Sequence, residues 1–149
     1  MKLECVVASP VEAHSVVNNL FQHHIKPHTR TGAQGVITWQ TMSAYLHEKH
    51  RAAFHGPILK AFSEQVWFID GETGRRFRWS KAAWKQWLKE EFCPQKFEEY
   101  TDRTTGEVKT RVLPLSTESL SDDEYQEFLM AVQACGMLDF NIEFEEEGY

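Results

Sequence analysis

The stretch Leu120-Ser121-Asp122-Asp123-Glu124-Tyr125 constrains the fold more than any other part of this chain. Ser121 and Glu124 have the spacing of a capping box, in which hydroxyl and carboxylate each satisfy the other's free backbone N–H, and Leu120 and Tyr125 have that of a hydrophobic staple. A helix therefore begins at Asp122. Tyr125, Phe128, Leu129, Val132 and Cys135 recur at helical spacing and predict one buried face, with Gly136 as the residue that ends it. Leu138, Phe140, Ile142 and Phe144 then alternate with polar residues, the pattern of a short, half-buried final strand.

Upstream, two glycine-bearing turns predict two β-hairpins. The first has Val66 to Ile69 and Arg75 to Trp79 around Asp70-Gly71-Glu72-Thr73-Gly74; the second has Phe97 to Arg103 and Glu107 to Leu113 around Thr104-Thr105-Gly106. Between them Ser80 can cap a helix that runs to Phe92 and is closed by Cys93-Pro94. Ser43 to Phe54 and Ile58 to Val66 are helix-prone on either side of His55-Gly56-Pro57, which predicts a break or a bend.

At the front, Leu3 to Ala8 is a β-prone run followed by Ser9-Pro10-Val11-Glu12, which has a cap, a proline at the first helical position and a capping-box glutamate. The helix it opens should bury Ala13, Val16, Val17, Leu20, Phe21, His24 and Ile25 and stop at Lys26-Pro27. His28 to Gly35 reads as a loop and Val36 to Met42 as a second strand. The expected fold class is α+β: a strand-helix-strand start, two β-hairpins, a capped C-terminal helix and a short final strand. A single domain should span residues 1–144, with 145–149 as an acidic C-terminal tail.

Charge is distributed unevenly. Residues 1–111 hold all 16 Lys and Arg against 12 acids, while residues 112–149 hold 10 acids and no base, so the net −6 conceals a dipole. Binding to phosphates depends on where cations sit and not on their sum. Arg75, Arg76, Arg78, Lys81, Lys85 and Lys89 occupy the return strand of the first hairpin and one face of the helix after it, interleaved with Phe77, Trp79 and Trp84. Three arginines within four residues exceed what solubility requires, so this group predicts contact with a polyanion, with aromatic planes available for stacking on bases. Trp84, Trp87 and Trp67 are expected in the core, and whether Trp79 stacks on bases or on core is open. Arg51, Arg103, Lys109 and Arg111 would extend the phosphate path.

Other chemistry finds less support. His47-Glu48-Lys49-His50 misses the HExxH zinc spacing by one residue, because Arg51 stands where the second ligand would lie. His14, His23, His24 and His28 have no Cys or acidic ligand at metal spacing, so neither a metal nor another cofactor is expected. Asp70, Glu72, Glu90, Glu91, Glu98, Glu99 and Asp102 could hold Mg²⁺ in a structure-specific nuclease, the alternative reading, if they converged. No phosphate-binding G-x-x-x-x-G-K-[ST] loop and no GxSxG nucleophile motif occurs. Three scattered cysteines, Cys5, Cys93 and Cys135, suit a reducing compartment. With no signal-like or membrane-length apolar run, a cytoplasmic protein without membrane contact is expected.

Three segments together resemble the phage Orf (NinB) family of recombination proteins. They are Leu3-Glu4-Cys5-Val6-Val7-Ala8-Ser9-Pro10 leading into a helix, the stretch from Arg51 through Phe54 to Glu64-Gln65-Val66, and Ser116-Thr117-Glu118-Ser119 before the capped helix to Gly136. The family's Gln-Asn-Arg motif is represented by Lys49-His50-Arg51, so only the arginine carries over, and Pro57 interrupts the central helix. The resemblance implies a non-enzymatic homodimer that binds DNA, single strands in preference to duplex. It further implies action with single-strand-binding protein to load an annealing protein or recombinase.

Overall fold

A computed structural model describes residues 2–145, which fall into two units, Met1–Trp39 and Gln40–Tyr149. Most of the acidic tail expected at 145–149 lies outside the described residues.

In the first unit, helix α1 spans Pro10–Leu20, and the Ser9 hydroxyl accepts from the Glu12 N–H at 3.2 Å as the sequence predicts. The Glu12 carboxylate reaches one residue further back than expected, to the Ala8 N–H at 2.9 Å. Contrary to expectation, the helix does not stop at Pro27. A π turn at Phe21–Ile25 leads into α2, Lys26–Arg30, and the Lys26 N–H reaches back to the Phe21 carbonyl. Widening the turn before a proline accommodates a ring that would clash with a regular one and has no N–H to donate. The predicted apolar face is at most half-buried, and neither α1 nor α2 holds a buried residue. The expected strands at Leu3 to Ala8 and Val36 to Met42 do not form; apart from Met42, which starts the next helix, both runs are irregular, with no strand paired to either. A β-prone run becomes a strand only when another edge takes up its N–H and C=O groups.

The second unit carries the core. Helix α3, Met42–Ala53, passes through a π turn at Phe54–Ile58 into α4, Leu59–Gln65, making one bent helix around Pro57. The Leu59 N–H spans the widened turn to the Phe54 carbonyl. Strands β1, Phe68–Ile69, and β2, Arg76–Phe77, form the first hairpin; α5, Lys81–Phe92, follows under its Ser80 cap. Strands β3, Phe97–Thr101, and β4, Val108–Val112, form the second hairpin. A 3₁₀ turn at Thr117–Ser119 precedes α6, Asp122–Asp139. The α+β class holds, as do both hairpins and the capped C-terminal helix.

The two hairpins share one turn. In each, an aspartate carbonyl accepts from a glycine N–H four residues on at 2.8 Å, and its carboxylate accepts from the residue two on at 2.8 Å, using Asp70 and Gly74, then Asp102 and Gly106. Both glycines have φ near +70°, a conformation that a side chain would disfavour. These hydrogen bonds hold the Asp70 carboxyl below its ordinary range; for Asp102 the Lys109 ammonium is the larger cause.

Around Trp84, which is fully buried, pack Phe62 at 5.0 Å and Phe140 at 5.2 Å between ring centroids. Phe54 meets Phe128 edge-on at 5.0 Å, tying the bent helix to α6. The capping box of α6 is complete: the Ser121 hydroxyl accepts from the Glu124 N–H at 3.2 Å and the Glu124 carboxylate from the Ser121 N–H at 2.9 Å. Lys96 completes the corner by donating to the same carboxylate at 2.9 Å. Leu120 and Tyr125, the predicted staple, are both buried.

Two expectations at the C-terminal end are corrected. Helix α6 continues past Gly136 to Asp139, because Gly136 is a packing position: a Cβ there would stand 2.7 Å from the Phe144 ring and 3.1 Å from Phe62. The left-handed residue after the helix is Asn141, with φ 54°, and the Ile142 N–H returns to the Gly136 carbonyl at 2.9 Å. In place of the final strand, residues 140–145 form a strap that belongs to neither of the two sheets. Ile142 is buried and Phe140 and Phe144 pack against the core, but Leu138, the first residue of the expected alternation, lies in α6 and is 83% exposed.

Candidate nucleic-acid interface

Register sorts the aromatic residues of the first hairpin. Phe68 pairs with Phe77 and Ile69 with Arg76, so residues 68, 77 and 79 share one face and residues 67, 69, 76 and 78 the other. On the inner face, Phe68 stacks on Phe77 at 5.5 Å and Trp84 at 5.9 Å, while Trp79 lies 4.9 Å from Trp84. Trp79 is thus half-buried against the core, and Trp84 is fully enclosed. Trp87 is half-buried at 5.7 Å from Trp84. Trp67, expected in the core, is 45% exposed on the outer face, with the guanidinium carbons of Arg76 and Arg78 each 4.5 Å from its ring centroid. Alternation puts Trp67 on the face of Ile69 and opposite to that of Phe68, and only the packing of Phe68 on Trp84 tells which of the two faces is outward.

Ion pairing divides the predicted cations into two groups. Arg51 Nε lies 2.9 Å from Glu118, Lys109 Nζ 2.7 Å from Asp102, and Arg111 Nε 2.8 Å from Glu98. Arg75, Arg76, Arg78, Lys81, Lys85, Lys89 and Arg103 have no carboxylate within ion-pair distance among the described residues. The first six lie in a continuous run along the return strand and α5; Arg103 stands alone in the turn of the second hairpin. Every residue of β3 and β4 is exposed, so that hairpin projects from the core.

His55, marked in the sequence only as part of a break or bend at Pro57, is electrostatically linked to Lys85 and Lys89. His55, in the π turn at Pro57, is held below its ordinary pKa by burial, then by the charges of Lys85, Arg51 and Lys89, with Glu118 opposing. The imidazole is thus near enough to the lysines of α5 for their charge to disfavour its protonation. Its signal in the sequence is the i, i+4 spacing from Arg51, which puts both on one side of the helix.

Beside this face, an open cleft of about 640 Å³ lies between α3 and the start of α6, lined by Ser43, His47, Arg51, Glu118 and Asp122 among others. The Glu118 carboxylate contacts both His47 Nε2 at 3.3 Å and Arg51 Nε, and these hold its pKa down, the His47 hydrogen bond most. Ser43 donates to Asp122 at 2.9 Å. Four of the seven acids of the nuclease alternative serve local structure: Asp70 and Asp102 in turns, Glu98 on Arg111, and Glu90 accepting from Gln86 at 2.6 Å. Among the described residues no three His, Cys, Asp or Glu side chains stand where they could share one metal ion. No helix among them is long and apolar enough to cross a membrane.

No family model and no curated protein matches the sequence. One solved structure, a structural-genomics structure named NinB, aligns over 98% of this chain and 96% of its own at 20% identity, with a TM-score of 0.42.

Proposed function

We propose that this protein binds DNA through the run from Arg75 to Lys89, preferring single strands, and acts without catalysing a reaction. The observation that carries this reading is the six consecutive cations of that run without an acidic partner, beside three elsewhere that are already neutralised. A cation held by a carboxylate must give up that pair to meet a phosphate, whereas an unpaired one exchanges only water and counterions. The resemblance to the Orf family extends the reading to recombination: a homodimer that works with single-strand-binding protein to load an annealing protein or recombinase.

A salt-titrated comparison of single- and double-stranded oligonucleotides tests the DNA reading. Affinity for the single strand should be the higher and should fall steeply with salt. Absence of binding to either at low salt overturns the proposal. Parallel incubation of single-stranded and flapped DNA with Mg²⁺ should leave both uncut; cleavage lost on removing an acid would establish the nuclease alternative.

A further inference from the structure

We infer that Trp67 is a base-stacking residue of this protein, and that an unpaired DNA base exchanges with a guanidinium on its ring. The inference rests on the DNA binding proposed above and names the chemical group recognised. The outer face of the first hairpin holds Trp67, Ile69, Arg76 and Arg78, because Ile69 pairs with Arg76 and the same register sets Trp67 opposite Arg78. Trp67 is 45% and Ile69 72% exposed, so an indole and an apolar ledge beside it face solvent. The other tryptophans of this region, Trp79, Trp84 and Trp87, are spent on packing around Phe68 and Phe140.

The two guanidiniums over Trp67 determine how a base would reach it. Neither has a carboxylate partner among the described residues. A solvent-exposed cation–π contact is among the weaker attractions at a protein surface, and stacking of a base on an indole is stronger. A base can therefore replace one guanidinium on the ring, and the freed arginine, still anchored on β2, meets the phosphate of the same or the next nucleotide. Two favourable contacts replace one, and both arginines remain beside the ring in the unbound protein. Bases in a duplex are stacked on one another and offer no free face, so this exchange selects single strands without reading sequence.

Trp67→Ala and Trp67→Phe, compared by anisotropy on labelled oligo-dT and on a duplex of equal length at several salt concentrations, test the inference. For Trp67→Ala, affinity for oligo-dT should fall roughly 5- to 150-fold with the salt slope unchanged, duplex affinity should hold, and Trp67→Phe should recover most of the loss. Equal losses on single strand and duplex, with a flatter salt slope, would mean that Trp67 only holds the arginines, and would overturn the inference. Unchanged oligo-dT affinity in Trp67→Ala would also overturn it while leaving the DNA reading intact. Absence of wild-type binding would remove both. Thermal unfolding of each variant shows that the hairpin has survived.

Discussion

Gln65 and Glu143 are joined by two hydrogen bonds running in opposite directions: the Gln65 amide nitrogen donates to the Glu143 carbonyl at 2.8 Å, and the Glu143 N–H donates to the Gln65 amide oxygen at 2.9 Å. One side chain thus does for the C-terminal strap what a neighbouring strand would have done.

Gln65→Ala removes both bonds and should destabilise the protein by about 1–2 kcal/mol, at roughly 1 kcal/mol each. Gln65→Glu should lose the bond to the Glu143 carbonyl, since a carboxylate has no proton to donate, while keeping an acceptor for the Glu143 N–H. Urea unfolding checks the stability. Hydrogen exchange at the Glu143 amide should quicken in Gln65→Ala, and unchanged protection there would show that Phe144 alone holds the strap.

Gly136→Ala sets two effects against each other. The helix gains about 1 kcal/mol from the better helix former, while overpacking against Phe144 and Phe62 costs about 1–3 kcal/mol. The net is expected to be destabilising, with the disturbance confined to the strap, because the Phe144 ring can give way more easily than α6. Side-chain NMR shifts of Phe144 should move while those of Phe54 stay in place.

Substituting Lys81, Lys85 and Lys89 together by alanine should weaken DNA binding and flatten its salt dependence by about one unit of slope per lost contact. Lys109→Ala with Arg111→Ala should change affinity less, because Asp102 and Glu98 already hold those charges. An equal or larger effect from the second pair would shift the binding path to the outer hairpin.

His55 predicts two pH dependences of opposite sense. With its folded pKa below the ordinary 6.5, the unfolded chain takes up the proton first. Stability should therefore be full above about pH 6.5 and decline as pH falls below it toward the folded value. A phosphate beside His55, Lys85 and Lys89 would favour the imidazolium, so DNA affinity should rise over the same interval. His55→Gln should reduce both trends, as read by denaturation and binding at pH 5.5 and 7.5. If only the stability trend diminishes, His55 lies off the DNA path.

The sequence by itself determined the features that close within a few residues. The Ser121 and Glu124 box, the Ser80 cap and the Asp-to-Gly turns each satisfy their own backbone groups locally, so the residues that specify them are the residues that form them. Tertiary structure decided wherever a group needed a distant partner. Leu3 to Ala8 and Val36 to Met42 have strand composition but no strand beside them, and the strap at Glu143 found Gln65 instead of an edge. Pro27 read as a stop and Pro57 as a break or a bend because a proline's cost in a regular helix is local, yet a widened turn before Pro27 and another around Pro57 carry the helix through. Which tryptophan of the first hairpin faces solvent was likewise settled by register: burial belongs to a face, and the pairing of Phe68 with Phe77 turned Trp79 inward and Trp67 out.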